Sequence, residues 1–347
     1  MNEEMEALHK NDTWEVTSLP SGRKAIGCKW VFKIKYKANG EVERYKARLV
    51  VKGFNQKEGI DYTETFASVA KMATVRCTMC IAVNNGWPMY QLDVNNAFLY
   101  GTLDESVYMV PPPGYFTKNE NRVCKLKKSL YGLKQAPRKW NEKLTSVLIE
   151  FGFMQSLSDY SLFTKSSTNG FTVLLVYVDD ILLTGSSQKE IEDLKVFMKS
   201  KFLIKDLGIL KFFLGIEIIE TDVGICMSQR KYCLELLHSF GMLGCKPVAT
   251  PMDLNLVISE HGINSTDELI ANITEYQKLI GKMIYLTITR PVISYPVQCL
   301  SQFMHSPRVS HLKLALRVLR YLKGAPGLGV SVSRSESLKL LAYVDSD

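Results

Sequence analysis

No run of apolar residues in this 347-residue chain approaches the ~20 that carry a helix across a bilayer. The first residues, MNEEMEALHKND, are polar and acidic where a secretory signal would be basic and then apolar. A chain without either feature is expected to be soluble and intracellular. Any disulfide rhythm is missing too, for the eight cysteines are scattered, as suits a reducing compartment. Cys77 and Cys80 form a C-x-x-C, but no second pair and no histidine pair stands at zinc-like spacing, and the flanking VRCTMCIAV reads as a buried helix face. There is no phosphate-binding G-x-x-x-x-G-K-[ST]. The one Gly-Lys, Gly281-Lys282, is followed by Met283, so LLVYVDD is not the acidic strand end of a P-loop ATPase. Repeats and low-complexity segments are absent as well. What is left is an ordinary globular chain, long enough for two or three subdomains.

Charge is unevenly spread along it. The net charge is +8, yet eleven Lys and Arg residues crowd between Arg23 and Lys57, and eight face a single acidic residue between Arg122 and Lys143. Charge runs are commonly just solvated surface. Two separated basic zones interleaved with aromatic residues point instead to a polyanion, with nucleic acid the usual candidate. In KWVFKIKYK, strand alternation would put Lys29, Lys33, Lys35 and Lys37 on one side and Trp30, Phe32, Ile34 and Tyr36 on the other.

The pattern of elements is α+β. A hairpin turning at Asn39-Gly40 covers KWVFKIKYKANGEVERYKARLVVKG. A helix is predicted over Phe66 to Asn84, then a strand leading into a helix in PMYQLDVNNAF, ended by Gly101. SVYMVPPPGYF reads as a proline-punctuated loop or edge strand, and a helix runs from Pro137 to Phe151 with Pro in its first turn. SLFTKSSTNGFTVLLVYVDDILLTG supplies two or three short strands, Ser186 to Phe202 an amphipathic helix, and KFFLGIEIIETDVGICMSQ a hairpin around Asp222 to Gly224. After the polar segment Asp253 to Thr266, EYQKLIGKMIYLT and HLKLALRVLRYLKG carry apolar residues at three- and four-residue spacing, so the remainder is mostly helical.

The feature that asks for chemistry is VYVDDILLTG, where Asp179 and Asp180 interrupt an apolar run. Burying a carboxylate is costly unless it is hydrogen-bonded, paired or bound to a metal. The doublet reads either as a solvated hairpin turn, where Asp is common, or as cation ligands at a hairpin tip, which need a further carboxylate. Asp93 in YQLDVNNAFLYG is the best candidate, since it ends a short strand just before a change to helix, although Asp there also serves as an N-cap. One strand-end Asp and two hairpin-tip Asp on neighbouring strands would converge and bind two divalent ions ~4 Å apart. That arrangement activates an attacking oxygen and stabilises a departing one in phosphoryl transfer.

QLDVNNAFLYG, SLYGLKQAPRKW and YVDDILLTG, in that order, resemble the palm motifs of the reverse transcriptases of copia-type LTR retrotransposons. GCKWVFKIKY, YKARLVVKGFNQKEGIDYTETFASV, LKFFLGIEI, YQKLIGKMIYLTITRP and SQFMHSP extend the resemblance over nearly the whole chain. It implies a right-hand polymerase with fingers and palm over 1–252, the palm an antiparallel sheet packed on helices. A mostly helical thumb or connection over 253–335 and the first strand of a truncated ribonuclease H domain over 336–347 would follow. By the same resemblance Asp93, Asp179 and Asp180 are the catalytic, metal-binding carboxylates, Asp179 being the direct ligand of two Mg²⁺ ions, for which Mn²⁺ can substitute. Phe98 matches the aromatic position under the sugar of the incoming nucleotide, where a bulky ring leaves no room for a 2′-hydroxyl; as a residue type it also reads as a core aromatic. Lys46 and Arg48 resemble the cations that hold the triphosphate, a role suited to a point charge and a fork. Tyr131, Gly132 and Gln135 match the loop that contacts the template and the nascent pair, Gly permitting close backbone approach. FLGIEI resembles the primer grip, which places Phe213, Leu214 and Gly215 near the primer terminus.

The activity implied is that of an RNA-directed DNA polymerase, a nucleotidyltransferase taking a deoxynucleoside triphosphate, a primer and an RNA or DNA template. Binding should weaken steeply as salt rises. No membrane partner is implied. In an intact element capsid, protease, integrase and ribonuclease H regions share the polyprotein, and the location is cytoplasmic, in a virus-like particle, or nuclear. LKLLAYVDSD resembles the opening strand of ribonuclease H, with Asp345 at its first metal ligand, and one strand cannot assemble that site. Asn95 stands where relatives carry Lys in D-V-K-N-A-F, and Val292 replaces the Asp after TRP. Such departures fit the alternative, a catalytically inactive remnant that only binds nucleic acid.

Overall fold

The computed structural model describes every residue except 38, 115–121, 254–257, 260–266, 336–341, 343 and 345–347. The chain divides into two compact units, Met1–Thr78 with Pro88–Ile209, and Met79–Trp87 with Leu210–Asp347. That boundary at Ile209 falls earlier than the one expected at 252, and the strand expected over 336–347 lies almost wholly outside the described residues.

The first unit opens with helix α1 (Asn2–Lys10), strand β1 (Trp14–Ser18) and the hairpin of β2 (Cys28–Tyr36) and β3 (Val42–Val51). Helix α2 (Met72–Asn84) leads toward β4 (Met89–Val94), a 3-10 turn at Ala97–Tyr100, β5 (Thr102–Met109) and β6 (Arg122–Lys128). Then come α3 (Ala136–Glu150), β7 (Met154–Gln155), β8 (Leu162–Ser167), β9 (Gly170–Tyr177), β10 (Asp180–Gly185), α4 (Gln188–Lys201) and β11 (Ile204–Ile209).

Six strands, in the order β11-β4-β10-β9-β8-β7, make one antiparallel sheet. Leu92, Val94, Leu174, Val176, Ile181 and Leu183 of this sheet share a core with Trp140, Leu144, Val147 and Leu148 of α3 and Ile191, Leu194 and Met198 of α4. Burying each such side chain stabilises by roughly 1.5–3 kcal/mol. Side chains alternate along a strand, so the same burial turns Gln91, Asp93 and Asp180 to the opposite face. A one-residue slip would drive both carboxylates into the core, and the register is therefore strongly specified.

A three-stranded sheet, β1-β6-β5, carries the second core with Leu8 of α1, Leu49 and Val51 of β3, and Leu130 and Leu133; β5 is its edge, as expected. The β2/β3 hairpin pairs over Cys28–Tyr36 and shows the expected alternation. Its apolar side is not covered, however. Trp30 packs on the second core, while Phe32 and the cross-strand Tyr45 are 68 % and 76 % exposed. The other side sets Lys33 opposite Lys46 and Lys35 opposite Arg44, like charges that repel.

Helix α2 starts at Met72, six residues later than predicted. Its start is capped by a distant side chain: Asp159 Oδ2 accepts from the Lys71 N–H at 3.1 Å and the Thr74 hydroxyl at 2.5 Å. A cap supplied 85 residues away leaves no local signal. Cys77 is exposed rather than on a buried face, and none of the eight cysteines, all of them among the described residues, forms a disulfide.

In the second unit the strands β12 (Phe212–Phe213), β13 (Ile216–Thr221), β14 (Gly224–Ser228) and β15 (Gly329–Ser333) form one sheet in that order. Helices α5 (Arg230–Ser239), α6 (Ile273–Leu286), α7 (Ser294–Ser301) and α8 (Val309–Gly324) bury Leu236, Tyr276, Ile280, Met283, Val297 and Leu319 against one another. The helical character expected after 253 is present. Among the described residues no helix is long and apolar enough to cross a membrane.

Candidate active site

Strands β4 and β10 are antiparallel neighbours, and their register sets Asp93 directly opposite Asp180. Paired positions of this kind hold their Cβ atoms ~4.5–5.5 Å apart, and like charges there destabilise a sheet. On the other flank of Asp93, β11 places Lys205 opposite it. Asp179 lies in the two-residue turn joining β9 to β10, and its carbonyl accepts from the Val94 N–H at 2.9 Å. The doublet is thus a hairpin turn, as the simpler reading had it, but a turn laid against a third carboxylate.

Burial is the chief cause that raises the Asp93 carboxyl above its ordinary range, and the Asp179 charge adds to it against Lys46, Lys205 and Arg48. Asp180 is raised by burial and by Asp179 and Asp93, against a hydrogen bond from Gln91 Nε2 to its Oδ1 at 3.3 Å. Hard oxygen donors that repel one another and resist ionisation suit a divalent cation. Among the described residues no three His, Cys, Asp or Glu side chains already converge on one point, so the donors are aligned on one face without being preassembled.

Lys46 and Arg48 stand on the basic side of β3. The Lys46 ammonium is lowered first by burial and then by Arg48, Arg44 and Lys35, with Glu4 of α1 opposing. Glu4 is itself raised by burial, against a hydrogen bond from the Leu49 backbone and the charges of Arg48 and Lys46. The Arg48 guanidinium lies 4.2 Å over the Tyr131 ring, and Tyr131 meets Phe98 edge-on at 4.8 Å and 60°. Phe98 packs against both cores of the first unit. Burial pushes the Tyr131 phenol up to about 12. Its hydroxyl and Arg48 Nε are buried without a hydrogen-bond partner among the described residues.

Two residues of the 131–135 loop, Gly132 and Gln135, are occupied by contacts within the first unit. Gln135 is 0 % exposed: its Oε1 accepts from Gln56 Nε2 at 2.9 Å and its Nε2 donates to the Asp61 carbonyl at 2.9 Å. It braces the irregular 53–62 segment from within the core. Gly132, at φ +92°, does allow a close approach, but the backbone that approaches is that of β3, since a Cβ there would collide with the Val51 carbonyl. The neighbouring Tyr131 carbonyl accepts from the Val51 N–H at 2.8 Å.

Phe213, Leu214 and Gly215 belong to the second unit. Phe213 is buried, while Leu214 at φ +52° and Gly215 at φ +73° turn the chain from β12 into β13. The Leu214 carbonyl accepts from the Tyr285 hydroxyl of α6. Asp345 lies outside the described residues. Sequence reasoning missed Lys205, because β11 was not foreseen as a strand, and Glu4, whose partners are long-range.

Residues 11–254 match a family model described as reverse transcriptase (RNA-dependent DNA polymerase). The retrovirus-related Pol polyprotein from transposon RE1 of Arabidopsis thaliana is 45% identical over 350 residues, covering 100% of this chain and 24% of that protein. A putative transposon Ty5-1 protein of Saccharomyces cerevisiae is 34% identical over 258 residues, 74% of this chain and 82% of that one. A foamy viral protease-reverse transcriptase solved with an RNA/DNA hybrid is similar at 13% identity and a TM-score of 0.47, over 93% of this chain and 36% of that one. The chain spans about a quarter of the length of the Arabidopsis polyproteins it matches.

Proposed function

The chain belongs to the reverse transcriptase (RNA-dependent DNA polymerase) family, and from that premise we propose that it joins deoxynucleotides to the 3′-hydroxyl of a primer paired with an RNA or DNA template. The observation that carries this reading is the placement of Asp93 opposite Asp180, with Asp179 in the adjoining turn. Members of the family use divalent metal ions. Two Mg²⁺ ions, or Mn²⁺ in their place, when bound by these carboxylates would lower the pKa of the primer hydroxyl and offset charge on the departing pyrophosphate.

The chain's own residues bind and orient. Lys46 and Arg48 hold the triphosphate oxygens, and that anion offsets the burial and the like charges that depress Lys46. Arg48 Nε, buried without a partner, gains an acceptor in the same step. Tyr131 backs the Phe98 ring, and Phe98 lies beneath the sugar, where its bulk excludes a 2′-hydroxyl. The basic side of the β2/β3 hairpin follows phosphates without reading sequence. Phe213, Leu214 and Gly215 take the primer-grip role, and the segment works within a Pol polyprotein, inside the cell.

The test is primer extension. With Mg²⁺, the purified chain extends a DNA primer on an RNA template, and Asp179→Asn abolishes extension. Tight duplex binding by a wild type that extends nothing would identify a binding remnant instead.

A further inference from the structure

Val178, the residue between Tyr177 and the carboxylate doublet, has φ +56°. It is the first of the two central residues of the β9–β10 turn, and Asp179, the second, has no positive φ. This is the type II′ pattern, which normally takes glycine first. A β-branched residue there is strained, and such a conformation persists only where its surroundings hold it.

Two hydrogen bonds hold it. The Val94 N–H donates to the Asp179 carbonyl at 2.9 Å, and Trp140 Nε1–H donates to the Val178 carbonyl at 2.6 Å. Trp140 is 2 % exposed, so the single polar atom of a buried indole is spent on this turn. The rest of the ring is locked by Phe202, edge-on at 5.1 Å, and by Tyr100 at 6.0 Å. Tyr100 ends the 3-10 turn that contains Phe98, and its hydroxyl accepts from the Leu203 N–H at 2.8 Å. One indole therefore touches both the carboxylate turn and the segment that carries Phe98.

We propose that Trp140 is a positioning residue for the polymerase reaction: its N–H holds the Val178 carbonyl and so keeps the strained turn that sets Asp179 and Asp180 beside Asp93. The inference rests on the polymerase reading given above. Without that N–H the peptide relaxes, and the two carboxylates lose their fixed relation to the third. The loss falls on ion binding and the chemical step, and it spares duplex and nucleotide affinity.

Trp140→Phe keeps a ring and removes the donor. Should that variant fail to fold, replacement of Trp140 by 3-benzothienylalanine keeps the indole shape without an N–H. Mn²⁺ binding to the chain–duplex complex is followed by electron paramagnetic resonance, and kcat and KM are measured separately. The expected result is Mn²⁺ binding weaker by about tenfold and kcat lower by about tenfold, the scale of one lost hydrogen bond. KM for the nucleotide and duplex affinity stay within about twofold, and added Mn²⁺ restores part of the rate. Unchanged Mn²⁺ binding, or a loss of duplex affinity matching the loss of kcat, overturns the proposal. If the wild type binds Mn²⁺ but extends no primer, the polymerase reading fails while the Mn²⁺ titration still decides the role of Trp140.

Discussion

Asp93 and Asp180 face each other across two antiparallel strands, each with its carboxyl held above the ordinary range by burial and by neighbouring carboxylates. A carboxyl whose pKa is higher folded than unfolded stabilises the chain fully only below the ordinary carboxylate range. That contribution is lost as pH rises through the raised folded value, so at neutral pH the pair costs stability. Asp180→Asn is therefore expected to melt a few degrees above the wild type in metal-free buffer near pH 7, since ~1 kcal/mol moves a domain of this size by about 2–4 °C. It should lose primer extension, and saturating Mg²⁺ should close the gap by raising the wild type alone. Equal melting temperatures without metal would count against a repelling pair.

Lys46 has the opposite sign. Its ammonium is depressed by burial and by Arg48, Arg44 and Lys35, so the stability it contributes is present above the ordinary lysine range and lost as pH falls through the depressed folded value. At neutral pH the crowded charge awaits an anion. Tripolyphosphate without metal should raise the wild-type melting temperature, and Lys46→Met should melt higher than wild type on its own but no longer respond to tripolyphosphate. A full response in the variant would move the anion site elsewhere.

Phe98 and Tyr131 pack edge to face at 4.8 Å. Phe98→Val should raise ribonucleotide incorporation relative to deoxynucleotide, and Tyr131→Leu should do so more weakly by letting the Phe98 ring tilt. Competition between labelled dNTP and rNTP reads both variants. An unchanged preference in Phe98→Val removes it as the steric gate.

Gln56 and Gln135 form a buried amide pair. Truncating either to Ala should cost about 1–3 kcal/mol by stranding its partner, and the double variant should lose clearly less than the sum. Chemical denaturation measures this cycle. The nucleotide KM of the folded variants should stay near wild type if the pair is structural; a KM that rises only in Gln135→Ala would place this residue at the nucleotide site.

Much of the fold was legible in the sequence. The alternation in KWVFKIKYK, the Asn39-Gly40 turn and the hairpin around Asp222 to Gly224 are local signals, and they appear as β2 with β3 and as β13 with β14. The three aspartates were legible because a carboxylate inside an apolar run needs a reason wherever it lies. The burial of Gln135 against Gln56 was not legible, because a loop glutamine looks the same in sequence whether it faces a ligand or a second buried glutamine. Lys205 was missed because FLIKDLGI, with an Asp and a Gly inside it, carries a weak strand signal.

Periodicity and the cost of burying charge act over a few residues, so the α+β character of the chain and its candidate carboxylates can be read from residue order alone. That Asp93 faces Asp180 with Lys205 on its other flank, that Glu4 feels the charge of Arg48, and that Val178 at φ +56° is bonded by Trp140 came instead from long-range packing. Register between strands and a strained turn both depend on contacts between residues far apart in the chain, and only the assembled core brings those together.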